Sequence, residues 1–459
     1  MISGKSSRFS RRQFLQYTGL AASAALLAAC PAPAQNPAAS SSGQSSQPAA
    51  AGKELEAWSQ MTGIAQDSTK QILDNYNKQN KKGITIKFVY IPVTQGSQSD
   101  EKLLTAVAGG TPPALHYADR FTVPQFALQG FFTDITDAAQ AAGVKGGDYY
   151  PFAWDEASYK GKIYALPFDT DTRALWYNKD TMKEAGLDPE KPPTNLDELR
   201  QATKTLTQKN SNGQVTRYGF NPLYDQAWSY TWGFAFKGEF QDPKTKKITC
   251  ANPNNVKAMQ FVKDFVDEIG VDEIDAMLSA CAGTACNDQN DYFWTGQSAM
   301  TCSGDWKVAQ AHKYKPNVNY GVVPMPGPDG PAPFASWAGG WSWAIPKGNK
   351  DVASAFDALS YLCGFDGQLK YCKDTYHIPT NVKASEDPFF REDPLHAVFM
   401  DLLKVSHTRP PIPKGSMLWD LLFTAFRDEI PHGKKTPEQA LTDVDTKVNA
   451  ELEKVGFFS

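Results

Sequence analysis

The sequence predicts an α/β protein built from two α/β domains joined by crossover strands that serve as a hinge. Two observations predict it, and a third marks where backbone can approach a ligand. Strand-like and helical patterns alternate from Leu55 onward, as in sheets covered by helices. The stretch Tyr164–Asn178, YALPFDTDTRALWYN, holds two apolar strand-like runs separated by five polar residues. A later stretch, Ser336–Pro346, reads SWAGGWSWAIP and sets two adjacent glycines among three tryptophans.

The first domain opens with Leu55–Trp58 as a short strand. A helix is expected over Asp67–Asn80, with Ile72, Leu73 and Tyr76 inward and Gly83 just beyond its end. Ile84, Ile86, Phe88 and Tyr90 alternate as a second strand. A helix over Asp100–Ala108 ends at Gly109-Gly110, and Ala114–Tyr117 forms a third strand. Ligands in largely parallel sheets sit beyond the carboxyl ends of the strands. Trp58, Asp119 and Arg120 fall there.

In the 164–178 stretch, Pro167 fixes φ and removes a donor at the end of the first strand. Asp169-Thr170-Asp171-Thr172-Arg173 then reads as a polar crossing that forms the floor of a cleft. An ordinary surface loop suits the same five residues. Beyond it, Thr194 is expected to cap a helix through about Gln208, with Asp197 in its first turn. Tyr224, Asp225, Trp228, Tyr230 and Trp232 follow within nine positions. The stripe Ala258, Phe261, Val262, Phe265, Val266 and Ile269 suits a core-facing helix. Gln297–Thr301 and Tyr320–Pro324 read as strands, the first leading to Gly304-Asp305-Trp306. From Lys350 the pattern is mainly helical, ending in a helix from Pro437 to Leu452.

The chain begins with a targeting segment. Ser10-Arg11-Arg12-Gln13-Phe14-Leu15 resembles a twin-arginine export motif, and Leu27-Ala28-Ala29-Cys30 a lipoprotein cleavage box. Residues 1–29 are therefore expected to be removed and Cys30 lipidated; a cytoplasmic amphipathic helix is the plain alternative. Residues 30–53, rich in Pro, Ala, Ser, Gln and Gly, lack periodicity and suit a tether reaching roughly 25–30 Å. The formal charge is −4; the leader carries Lys5, Arg8, Arg11 and Arg12 with no acid, so the remainder stands at −8. An acidic body without a basic block is a poor fit to nucleic acid. No apolar run after the leader is long enough to span a bilayer.

Six cysteines remain after Cys30. An even number in an exported chain suggests disulfides. Cys281–Cys286 and Cys363–Cys372 are expected as local staples, leaving Cys250–Cys302. Neither C-x2-C spacing nor paired histidines mark a zinc site, so no metal or cofactor is expected.

Taken in order, several segments resemble one family. They are Ala108-Gly109-Gly110-Thr111-Pro112-Pro113, Gly161–Pro167, Trp176-Tyr177-Asn178-Lys179-Asp180, Phe293–Met300 and Gly339-Gly340-Trp341. They resemble the bacterial ABC-transporter extracellular solute-binding proteins of the sugar-binding type, similar to maltose-binding protein. The resemblance departs at Ala114, near where an acid is common. It implies a two-lobed, type II periplasmic-binding-protein fold that closes on its ligand. Lobe one is expected at 54–168 and 298–339, lobe two at 169–297 and 340–459. It also implies a monomer that delivers solute to a membrane permease.

The expected ligand is a sugar or oligosaccharide, because pyranose C–H faces pack on aromatic rings and hydroxyl rims need paired donors and acceptors. Trp58, Trp228, Trp232, Trp306 and Trp341 are the candidate stacking platforms. Asp119, Arg120, Asp169, Asp171, Arg173, Asp225, Asp305 and Arg409 are the candidate polar contacts, and Gly339 and Gly340 offer backbone amides. For any single tryptophan a place in the core is as open as one in the cleft. Three other readings stand beside this one: a glycoside-acting enzyme using Asp169 and Asp171, a binder of a non-sugar solute such as a glycerol phosphodiester, and an adhesin or assembly scaffold. No H-E-x-x-H, G-x-S-x-G or P-loop motif supports catalysis.

Overall fold

In the computed structural model, residues 52–92, 101–281, 285–286 and 288–458 are described. The expected leader, the lipidated Cys30 and the tether as far as residue 51 lie outside them. The tether ends earlier than expected, because Lys53 already belongs to a strand.

In chain order the first elements are β1 (Lys53–Ser59), α1 (Gly63–Gln79), β2 (Ile84–Tyr90), α2 (Glu101–Ala108) and β3 (Leu115–Asp119). Helix α1 starts a turn before its expected position and buries Ile72, Leu73 and Tyr76. The crossing stretch forms β4 (Ala165–Pro167), β5 (Asp169–Thr170) and β6 (Arg173–Asn178). Next come α3 (Leu196–Leu206), α4 (Ser229–Ala235) and α5 (Pro253–Ile269). The cap of α3 is Asn195, whose side chain accepts from Glu198 N, while Thr194 donates to the Glu198 carboxylate. The expected cap is thus one residue early, and the two residues share the terminus.

Strand β7 (Met300–Gly304), helix α6 (Trp306–Tyr314) and β8 (Tyr320–Val323) follow. The chain then runs through β9 (Trp337–Ala338), β10 (Trp341–Ala344), α7 (Val352–Leu362), α8 (Phe365–Thr375) and β11 (Ile378–Pro379). It closes with α9 (Pro394–Leu403), β12 (His407–Thr408), α10 (Gly415–Thr424) and α11 (Pro437–Lys454). Thr436 and Gln439 close a capping box on α11, a reciprocal arrangement that satisfies two otherwise orphaned amides.

Two sheets organise these elements. The larger has the order β2-β1-β3-β10-β4, with β1 parallel to β2 and β3, and β10 antiparallel to β3 and β4. The smaller is β7-β6-β8, antiparallel throughout. This pairing reverses the expected allocation of 298–339 and of the strand that follows it. Strands β7 and β8, from 300–323, share a sheet with β6, whereas β10 returns to the sheet of β1 and β3. The physical reason is that the Gly339-Gly340 pair carries the chain back across, in the opposite sense to the crossing at 169–173.

Period-2 alternation makes β6 the seam between cores. Leu175 and Tyr177 enter a core shared with Val262, Phe265, Leu418 and Val444. Ala174 and Trp176 enter another, shared with Ile86, Tyr117, Trp343 and Phe399. A strand buried on both faces reads as a continuous apolar run, which Ala174–Tyr177 does.

Cys281 and Cys286 form the expected disulfide. The other two expected bridges are absent: Cys250, Cys302, Cys363 and Cys372 are free and buried. Cys363 caps the end of α7 while Cys372 lies well inside α8, and the Cys363 thiol faces the Leu166 carbonyl instead. Cys250 packs beside Asp445 and Cys302 sits on β7. Burial pushes all four thiols up, so they act as small apolar side chains.

Candidate functional site

The site grows from the polar crossing. Leaving β4, the chain cannot carry apolar side chains between two sheets without exposing them, and Asp169–Arg173 are polar throughout. All five are nevertheless buried, so each must find partners locally. Asp169 accepts from Trp341 N at 2.8 Å and from the Tyr117 hydroxyl at 3.1 Å. Asp171 pairs with the Arg173 guanidinium and accepts from Gly339 N. Thr170 donates to the Gly339 carbonyl, and β5 pairs antiparallel with β11. Arg120, wholly buried, binds Glu156 at 2.7 Å, the Asp169 carbonyl at 2.5 Å and the Gly339 carbonyl at 2.6 Å. The crossing at 169–173 and the return at 339–340 are therefore laced together.

The glycine pair is required there. Gly340 has φ +124°, and a Cβ would meet the Asp169 carbonyl and the Arg120 guanidinium. At Gly339 a Cβ would lie 2.6 Å from Asp171 Oδ1. Asp119, at the end of β3, and Arg409, just past β12, form a buried two-pronged ion pair with contacts of 2.6 and 3.0 Å. The Arg409 guanidinium also lies 3.9 Å from the Phe121 ring centroid and 4.9 Å from that of Trp337.

Above this floor two cleft segments adjoin, of about 280 and 250 Å³, sharing Thr62, Asp288, Trp306 and Gln310. The first is walled by Tyr224, Asp225, Gln226, Trp228, Asp291, Lys307 and Arg427. The second is walled by Gln60, Met61, Tyr117, Trp341, Tyr371 and His377. Trp341 stacks on Tyr117 at 4.8 Å and 11°. Trp306 opens α6 directly after β7, so the two cleft segments meet at its ring. Strands of the larger sheet supply Tyr117 and Trp341 and the loop after β1 supplies Gln60–Thr62; elements around the smaller sheet supply Asp225, Trp228, Trp306 and Lys307.

The structure thus brings Asp225, Trp228, Trp306 and Trp341 to the cleft wall. It sets Arg120, Asp169, Asp171, Arg173, Asp305, Gly339 and Gly340 beneath it as the laced floor. There the Gly339 amide is taken by Asp171. Asp119 and Arg409 are taken by each other. Trp58 and Trp232 are not wall residues. Trp232 is fully buried with its indole N–H on the Pro222 carbonyl. Trp58 gives its N–H to Glu56, and Lys102 covers its ring.

Several wall residues are missed from sequence, among them Lys307, His377, Tyr117 and Arg427. Lys307 is 2% exposed and held by Asp291 at 2.6 Å and Asp225 at 3.3 Å. Burial pulls its amine down, but those two carboxylates outweigh burial and keep its pKa above the usual lysine value. A lysine in the first turn of a helix opposes the helix dipole, and that mismatch is the one local signal. His377 lies 3.2 Å from Asp305. Burial pulls its pKa down, but the bond to Asp305 and the charges of Asp169, Asp305 and Asp171 push it up to about 9. Burial in turn raises Asp169 to about 6, with His377 opposing and Asp171 adding to the rise.

Two α/β bodies laced by crossing strands, with an aromatic and polar cleft between them, define a type II periplasmic binding fold. The chain belongs to the bacterial extracellular solute-binding protein family, whose model matches residues 71–398. A putative binding protein of Brucella abortus (strain 2308) is 25% identical over 377 residues, covering 81% of this chain and 87% of the relative. The maltooligosaccharide ABC transporter solute-binding lipoprotein of Streptococcus pneumoniae (strain ATCC BAA-255 / R6) is 26% identical over 298 residues, covering 63% and 65%. Among solved structures, CpMnBP1 with mannobiose bound matches with TM-score 0.76 at 27% identity, covering 86% of this chain and 98% of the other.

The His377 value sets a pH dependence. A folded pKa raised from 6.5 to about 9 contributes stability that is complete below pH 6.5 and lost as pH rises through 9. Asp169, also raised, acts in the lower window, between 3.8 and about 6. Melting temperature followed from pH 6 to 10 should fall by the equivalent of roughly 3 kcal/mol, and His377→Gln should flatten that fall. Parallel profiles for the two proteins would remove His377 from the account.

Proposed function

We propose that this chain is the extracytoplasmic capture subunit of an ABC importer and that its ligand is an oligosaccharide. The observation that carries the reading is the placement of Trp228, Trp306 and Trp341 around one cleft that also holds Asp225, Asp291 and Lys307. Aromatic faces take the C–H faces of sugar rings, and charged groups grip the hydroxyls with charge-assisted hydrogen bonds. Because the wall comes from both sheets, a ligand touching both favours the closed arrangement over the open one. The saccharide-binding relatives support the sugar assignment. Micromolar affinity corresponds to roughly −8 kcal/mol, within reach of a few stacks and hydrogen bonds after ordering costs.

Two further features complete the reading. Export and lipid attachment at Cys30 would hold the protein at the outer face of the membrane, beside a permease that accepts the solute. Among the described residues no helix is long and apolar enough to cross a membrane. The glycosidase reading loses its carboxylates, since Asp169 and Asp171 are engaged by Trp341, Tyr117, Arg173 and Gly339. A relative of different ligand class also exists: the sn-glycerol-3-phosphate-binding protein UgpB of Pectobacterium atrosepticum is 24% identical over 437 residues. sn-Glycerol 3-phosphate is therefore added to the ligand screen as a competing arm.

Titration with mono- and oligosaccharides, read by tryptophan fluorescence and heat, should saturate at one site and return the sugar intact. New reducing ends would signal a hydrolase, and silence across the sugar panel would sink the sugar reading. Trp341→Ala should weaken the bound oligosaccharide by about tenfold, or 1.4 kcal/mol, while the protein stays folded; unchanged affinity would take Trp341 out of the site. Cys30→Ala should move the protein from membrane to soluble fractions, and an unchanged distribution would contradict the lipid anchor.

A further inference from the structure

Arg427 stands apart from the other arginines. Among the described residues Arg120, Arg173, Arg200, Arg217, Arg391 and Arg409 each pair with a carboxylate. Arg427 meets no carboxylate of the described residues at ion-pair distance. Its Nη1 donates to the Leu223 carbonyl at 2.8 Å, and its guanidinium lies 5.5 Å from the Phe423 ring and 5.9 Å from the Trp228 ring. Its two nearest acidic influences are committed or poorly placed: Asp275 pairs with His432, and Asp428 is its exposed chain neighbour. Burial pulls the Arg427 pKa down against the pull of those two charges. Arg427 is half-buried, and even a cation partly drawn out of water without a counter-charge is costly.

The backbone around it is also unusual. Helix α10 runs directly into a π-helical segment, Ala425–Glu429, with Arg427 at its centre. Insertions of this kind are rare, widen the helix by a residue, and concentrate at functional sites. Here the segment delivers Arg427 to the cleft wall beside Asp225, Trp228 and Lys307. Two independent features, an unpaired guanidinium and an irregular helix that presents it, converge on the ligand cleft.

The charge around it narrows the class of group it can take. Asp225, Asp288 and Asp291 share this wall, and Lys307 is already divided between Asp225 and Asp291. Among the described residues, a doubly charged phosphate would face three carboxylates with one free cation in its favour. A planar, singly charged carboxylate meets less repulsion and matches the two-pronged guanidinium edge.

We propose that Arg427 receives the carboxylate of an acidic sugar unit, a uronate borne on the bound oligosaccharide. The proposal rests on the oligosaccharide reading above and adds the class of sugar. Trp228, adjacent to the guanidinium, packs against the ring that carries the acid.

The test is a three-arm titration of the purified protein at low and high salt. The arms are neutral oligosaccharides, the same oligosaccharides capped by a uronate, and sugar phosphates. The uronate-capped set should bind about tenfold tighter than its neutral counterpart, with the advantage reduced by salt. Arg427→Gln should cut that ratio by about tenfold, and Arg427→Lys should restore part of it, because an ammonium keeps the charge without the fork. Equal affinity for neutral and uronate-capped sugars, tighter binding of the phosphates, or an unchanged ratio in Arg427→Gln would overturn the proposal. Saturation by neutral sugars without a uronate preference removes this inference alone. No response to any sugar removes the oligosaccharide reading with it.

Discussion

The protein depends on a buried polar lacing where its two sheets exchange strands. Arg120 ties the Asp169 carbonyl to the Gly339 carbonyl, and Asp171 binds both Arg173 and the Gly339 amide. Buried ion pairs of this kind contribute little net stability, since desolvation offsets most of the Coulomb attraction. Their effect is geometric. Each group left without its partner would be a buried unpaired charge, so outgoing and returning chains are held to one mutual arrangement. The Gly339-Gly340 pair is what lets the two backbones approach closely enough for that.

The character of the cleft follows from this floor. Strand β7 ends above the crossing, so Trp306 and Lys307 meet the cleft while Asp305 stays in the floor beneath them. Strand β10 departs from the same point in the other direction and presents Trp341, stacked on Tyr117. The two aromatic platforms are fixed to opposite sheets at the level where the sheets are joined. A small relative rotation there changes the spacing of the platforms, which is how a two-lobed binding protein couples ligand contact to closure. His377 lies under the junction beside Asp305, so one titrating group senses the charge of the whole floor.

Much of the fold is legible in local pattern. Alternation at Ile84–Tyr90 and the apolar run Ala174–Tyr177 give strands at the observed places, and the polar interruption at 169–173 marks the crossing. What local pattern lacks is the partner. Trp232 and Trp306 sit in similar aromatic-rich stretches, yet one seals a core and the other walls the cleft, because only tertiary packing decides which face is covered. Lys307 and His377 look like surface residues until Asp225, Asp291 and Asp305 are brought to them from elsewhere in the chain. The same holds for the cysteines: spacing makes Cys363 and Cys372 look paired, while the bend between α7 and α8 sends them apart. The sheet to which 300–323 belongs is likewise a matter of chain direction at the glycine pair, which residue pattern does not encode.

Small-angle X-ray scattering of the purified body, with and without a saturating oligosaccharide, tests the central claim most directly. If the laced crossing is a hinge and both platforms grip one ligand, the radius of gyration falls on saturation and the pair-distance distribution contracts. Saturation confirmed by calorimetry, with scattering curves that superimpose, would show a rigid groove and contradict closure by two lobes.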